Sequence, residues 1–116
     1  SRGGRRRRKR RSLEEAVRED KVVIVKNARS PEGLARASGA VVIEGFENEV
    51  AVVDKEFWQT FLAAVENDKT PPSAVEEKAK DKPYYRLLNF LSRSGLAYYD
   101  ESWKLIKDAL EGSVIE

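Results

Sequence analysis

Eight of the first eleven residues are cationic (Arg2, Arg5, Arg6, Arg7, Arg8, Lys9, Arg10 and Arg11), and this run limits what the chain can fold into. Side chains charged this densely repel one another and bring no apolar surface to bury, so 1–11 is expected to be a disordered, extended basic tail. The folded body is then confined to 12–116. It keeps 14 of the 22 Lys and Arg against all 20 Asp and Glu, a formal charge of −6 beside a tail of +8. The net +2 conceals a bipolar molecule. A cationic run of this kind attracts polyanions, nucleic acid first and anionic lipid second.

About 105 residues suffice for one domain around one core and leave no room for a second. Apolar stretches such as Ala40 to Ile43 and Val50 to Val53 fall far short of the ~18 residues that a membrane span needs. No apolar segment follows the arginines as in a secretory leader, so a soluble, cytoplasmic protein is expected. Cys, His and Met are all absent, which removes disulfides, thiolate nucleophiles, imidazole bases and Cys/His zinc sites. The carboxylate pairs Glu14-Glu15 and Glu76-Glu77 lie side by side on exposed helices and do not converge on a substrate. Gly3-Gly4 leads into arginines and not into a phosphate-binding helix. The expectation is a protein without enzymatic activity, cofactor or metal. A charged fraction of 36% with one Gln and four Asn leans towards the composition of hyperthermophile proteins.

Ser12 with Glu15 forms a capping box for a helix over 13–19. The β-branched run Lys21 to Lys26 (KVVIVK) predicts a central strand buried on both faces. Ser30, Pro31 and Gly39 bracket a short helix. Strands at Ala40 to Glu44 and Glu49 to Val53 are joined as a hairpin through Gly45, Phe46, Glu47 and Asn48. Asp54 caps a helix from Lys55 to Glu66, with Phe57, Phe61, Leu62 and Val65 at helical spacing. After the linker Asp68 to Pro72, Ser73 caps a charged helix to Lys80, and Pro83 opens another that runs to Arg93 and stops at Gly95. A short strand at Leu96 to Tyr99 precedes a last helix from Glu101 to Glu111, capped by Asp100. This order favours an α+β domain that is not an OB-fold: a small antiparallel or mixed sheet of about four strands, covered on one side by about five helices.

Aromatic residues occur as adjacent pairs, Phe57-Trp58, Tyr84-Tyr85 and Tyr98-Tyr99, and neighbours on a helix or strand cannot both face the core. An exposed aromatic beside a cation is a stacking platform for an unpaired base. Tyr85 beside Arg86, Trp58 one turn from Lys55, and Phe46 at the hairpin tip fit that description, whereas Phe61, Phe90 and Trp103 look like core.

Through its element order over Lys21 to Glu111, and through Val41 to Leu62 (VVIEGFENEVAVVDKEFWQTFL) and Tyr84 to Asp100 (YYRLLNFLSRSGLAYYD), the chain resembles the ThermoDBP family of archaeal single-stranded DNA-binding proteins. The resemblance implies a helix-backed sheet with a cleft, aromatic at its base and basic at its rim, that takes up unpaired DNA in replication or repair. It would assign stacking to Trp58, Tyr85 and Phe46 and phosphate contacts to Lys26, Arg29, Arg36, Lys55, Arg86 and Arg93, with Arg5, Arg6, Arg7, Arg8, Lys9, Arg10 and Arg11 supplying long-range attraction. Single-stranded DNA or RNA is the expected partner. No heptad run follows Gly112, so a monomer or weak dimer is expected. Two alternatives stand beside this one. A winged-helix-like duplex DNA-binding or transcription protein would use Pro83 to Glu111 as recognition helix and wing. An acidic protein-interaction domain would be tethered to nucleic acid by its tail alone.

Overall fold

The computed structural model describes residues 12–27 and 30–115, and three of its helices open on side-chain caps visible in the sequence. Ser12 Oγ accepts the Glu15 N–H at 3.1 Å while Glu15 Oε1 accepts the Ser12 N–H at 3.1 Å, a reciprocal box that starts α1 (Leu13–Asp20). Ser30 Oγ takes the Gly33 N–H to start α2 (Pro31–Ser38), which Gly39 ends in the left-handed conformation at φ 64°. Asp54 Oδ2 takes the Phe57 N–H to start α3 (Lys55–Val65). Each cap satisfies a donor that the first turn leaves without an intrahelical partner, a contribution of about 1 kcal/mol.

The strands β1 (Val22–Val25), β2 (Val41–Glu44), β3 (Val50–Val53) and the two-residue β6 (Val114–Ile115) form one antiparallel sheet in the order β1-β3-β2-β6. Val22 and Val41 both face Val53, and Val25 and Glu44 both face Val50. The hairpin expected at Gly45 to Asn48 joins β2 to β3. The central strand expected at Lys21 to Lys26 is corrected: β1 lies at the sheet edge, three of its four residues are only half-buried, and the fully buried central strand is β3. A β-branched run reads the same at both places, because an edge strand beneath a helix also loses water.

Successive side chains leave a strand on opposite faces. Val22, Ile24, Val41, Ile43, Ala51 and Val53 therefore join one core, while Val23, Val25, Val42, Val50 and Val52 join another with Val17 of α1 and Ala35 of α2. Helices cover both faces, not one as expected, because strands apolar at nearly every position leave neither face fit for water.

The first core continues into α4 (Pro72–Lys78), α5 (Pro83–Arg93), the hairpin of β4 (Ala97–Asp100) and β5 (Ser102–Leu105), and α6 (Lys107–Ser113). Pro71, and not Ser73, occupies the cap of α4, and no side chain caps it. The helix expected from Glu101 is corrected to a strand as far as Leu105. Trp103 turns inward against Tyr99, with 5.4 Å between ring centroids, and donates its Nε1–H to Thr70 O at 2.7 Å and its backbone N–H to Asp68 O at 2.9 Å. Alternation along Ser102 to Leu105 wins over helical spacing, and Glu101 at φ 66° makes the turn. The strand expected at Leu96 to Tyr99 thus belongs to a separate two-stranded sheet, and β6 fills the fourth place in the main one. No helix among the described residues is long and apolar enough to cross a membrane.

Candidate nucleic-acid interface

Three of the residues expected to bind nucleic acid meet at one end of the main sheet. The β1–β3 register, continued one step past Val25 and Val50, sets Lys26 opposite Glu49, and Glu49 Oε1 accepts from Arg93 Nη2 at 3.5 Å. Phe46 stands in the turn between β2 and β3. Its N–H donates to Ser94 Oγ at 3.1 Å, its carbonyl accepts the Glu49 N–H at 3.1 Å, and the Gly45 N–H donates to Glu49 O at 2.8 Å. Glu47 and Asn48 complete the turn at φ 56° and 64°, a region that non-glycine residues enter at a cost and hold only when surrounding bonds fix them. A Cβ on Gly45 would lie 2.3 Å from Phe90 Cζ, so glycine lets the turn close against α5. The outcome is a hydrogen-bonded turn that presents a Phe46 ring 58% exposed, the most exposed large apolar side chain among the described residues. Lys26 and Arg93 are exposed beside it, together with the carboxylates of Glu44 and Glu47.

The other expected residues lie elsewhere. Trp58 is corrected as a stacking platform: it is 6% exposed and stacked on Phe61, with centroids 5.7 Å apart and planes at 13°, which leaves no ring face for a base. The inward stripe of α3 is Trp58, Phe61 and Val65, and Phe57 is the half-buried neighbour. Tyr85 is half-buried, set edge-on to Tyr84 with 4.8 Å between centroids, and Lys78 Nζ lies 5.7 Å from its ring centre. Arg86 is corrected as a free phosphate contact, since its Nη1 donates to Val22 O at 3.4 Å and ties α5 to the sheet edge. Lys55 and Arg36 are exposed at the opposite end of the sheet from Phe46, about 13 Å away along four strand residues. No single cleft gathers all these groups. Arg5, Arg6, Arg7, Arg8, Lys9, Arg10, Arg11 and Arg29 lie outside the described residues.

Sequence reasoning passed over Tyr98, 48% exposed directly across β4–β5 from Lys104. The signal was the alternation of Ser102 to Leu105, which makes Trp103 and Tyr99 the inward residues and Tyr98 the outward one. Beside the hairpin, Asp68 Oδ1 accepts the Thr70 N–H at 2.8 Å and its carboxylate takes the Tyr84 hydroxyl. Burial raises the Asp68 carboxyl, but the Thr70 and Tyr84 hydrogen bonds and Lys78 outweigh it and hold the group below its ordinary range. Burial, followed by the bond to Asp68, pushes the Tyr84 hydroxyl well above its own. Among the described residues no group of three or more Asp or Glu is placed to hold a metal ion. No protein-family model, curated protein or solved structure matches the chain.

Proposed function

We propose that the chain is a non-catalytic, sequence-independent single-stranded nucleic-acid-binding protein, DNA first and RNA as the close variant. The observation that carries this reading is the exposed Phe46 ring, on the turn between β2 and β3 at the end of the sheet that also carries Lys26 and Arg93. A flat apolar ring that the fold keeps in water is a surface on which any unpaired base stacks, whatever its identity, and stacking needs no base-specific hydrogen bond. Glu44, Glu47 and Glu49 stand at the same end, so the turn has little phosphate attraction of its own. The arginine run supplies it, through contacts whose strength depends on salt and not on sequence.

A second reading has one observation in its favour. The order of α3, the extended segment 68–70 beside β5, α4, α5 and the β4–β5 hairpin is that of a winged helix-turn-helix unit, with Ala79 to Lys82 as its turn. Its third helix should then enter a major groove. Here α5 lies against β1, and Leu87, Leu88, Phe90 and Leu91 are buried, which leaves as its cations Arg93, paired with Glu49, and the half-buried Arg86. On this reading α5 would have few cations to offer a groove and would carry β1 along one edge.

Fluorescence anisotropy with a 20-nucleotide single strand and its duplex separates the two. The proposal expects preference for the single strand, lost on Phe46→Ala. Preference for the duplex, unchanged by that substitution, would favour the winged-helix reading instead.

A further inference from the structure

A surface trough runs along α3. Three depressions of about 400, 470 and 290 Å³ follow one another, the first and second sharing Trp58, the second and third sharing Leu62 and Leu110. Its floor is apolar, made of Ala40, Val41, Trp58, Leu62, Leu110 and Val114. The rim carries Glu56, Glu66 and Glu111 against Lys55 and Lys107. At the mouth, beside α1, Glu14 and Asp54 add two more carboxylates, against Arg18, which Glu14 holds at 3.4 Å, and the exposed Arg36 next to Ala35.

We propose that this trough docks a basic amphipathic helix of a partner protein. The helix α3 has eleven residues and is about 16 Å long, room for three turns of a second helix laid against it. An apolar floor suits side chains at i, i+3, i+4 and i+7 of such a helix. Charge selects its flanks: with carboxylates in excess on the rim and a body of formal charge −6, lysines and arginines are attracted and phosphates repelled. The same excess makes this the wrong place for a nucleic-acid strand, although Lys55 and Trp58 are both here. The inference does not depend on the nucleic-acid reading, because it uses residues other than Phe46, Lys26 and Arg93 and the opposite sign of charge.

Tryptophan fluorescence reads the contact, since Trp58 is in the trough and Trp103 is buried elsewhere against Thr70. The full-length protein is titrated with a sixteen-residue peptide that has leucines at helical spacing and lysines on its flanks. Beside it run a scrambled peptide of the same composition, a glutamate-flanked version, a peptide of residues 1–11 and a thymidine oligonucleotide. The expected result is a shift in Trp58 emission with the amphipathic basic peptide, with affinity about tenfold weaker for the scrambled peptide and about tenfold weaker again when Glu56→Lys and Glu111→Lys are combined. These carboxylates are exposed, so unchanged circular dichroism separates lost docking from lost folding. Equal binding of the scrambled or the 1–11 peptide would reduce the trough to a diffuse acidic surface and overturn the proposal. Tighter binding of the glutamate-flanked peptide, or displacement by the oligonucleotide, would overturn it in favour of an acidic partner or of nucleic acid. Binding of the oligonucleotide without displacement of the peptide leaves both sites standing, and loss of oligonucleotide binding alone sinks only the nucleic-acid reading.

Discussion

At the scale of single residues, the proposed function makes Phe46 a binding residue and Gly45 a packing one. Phe46 contributes little to the core at 58% exposure, so Phe46→Ala should leave the melting temperature within a degree or two while weakening single-strand binding by about 1–3 kcal/mol, the usual worth of one base stack. Phe46→Tyr should restore it. Anisotropy and calorimetry on the same samples check both halves, and equal losses of affinity and stability would mean that the ring is a packing residue. Gly45 behaves in the opposite way. Its φ of −123° suits any residue, but an added methyl group meets Phe90 Cζ at 2.3 Å and Ser94 Oγ at 2.5 Å, so Gly45→Ala should destabilise the fold by about 1–3 kcal/mol in denaturant titration through overpacking. Phe46 was legible in the sequence because it stands in a four-residue link between two largely apolar strands, each with a glutamate at the end next to the link. Trp58 was not, since Phe57, Phe61, Leu62 and Val65 define an apolar stripe as well as Trp58, Phe61 and Val65 do. Only the position of the sheet decides which stripe turns inward.

At the scale of elements, the N-terminal half of the fold was legible and the C-terminal half less so, for a reason of range. The caps at Ser12, Ser30 and Asp54 act within four residues, so the sequence announces them. The strand Ser102–Leu105 is fixed by bonds from Trp103 to Asp68 and Thr70, more than thirty residues away, which no local pattern contains. Beside that distant contact stands the Asp68–Tyr84 pair, whose shifts make stability depend on pH at both ends of the range. Asp68 has a lowered folded pKa, so its contribution is complete above the unfolded value of about 3.9 and is lost as pH falls through the folded one. Tyr84 has a raised folded pKa, so its contribution is complete below about 10, where the unfolded chain still holds its proton, and is lost as pH rises further. Melting temperature should therefore be flat from about pH 5 to 9 and fall on both sides. Tyr84→Phe should flatten the alkaline limb and soften the acid one, because Asp68 loses a donor. An alkaline limb unchanged in that variant would place the titrating group elsewhere.

At the scale of the molecule, the division of charge is the property with most consequence. A body of −6 cannot attract a phosphate chain from a distance, while a run of +8 on eleven residues can do so without any help from the fold. Affinity and selectivity should then separate between the two parts. Each phosphate neutralised on a single strand contributes about −0.7 to the slope of log K against log salt, so engagement of all eight cations gives a slope on the order of −5 to −6. With Arg5, Arg6, Arg7, Arg8, Arg10 and Arg11 replaced by glutamine, the slope should shrink to on the order of −1 to −2, since Arg2, Lys9 and the body's few cations near Phe46 remain. On the proposed reading the ratio of single-strand to duplex affinity should survive that change, because stacking on a ring does not depend on charge. The reverse holds for Phe46→Ala, which should abolish the ratio and keep the slope. A full salt series on both variants, with both oligonucleotides, tests the two halves independently. If the glutamine variant lost the strand preference along with the slope, the arginine run would be the whole nucleic-acid site, and the folded body would be free to serve the partner that fits its acidic trough.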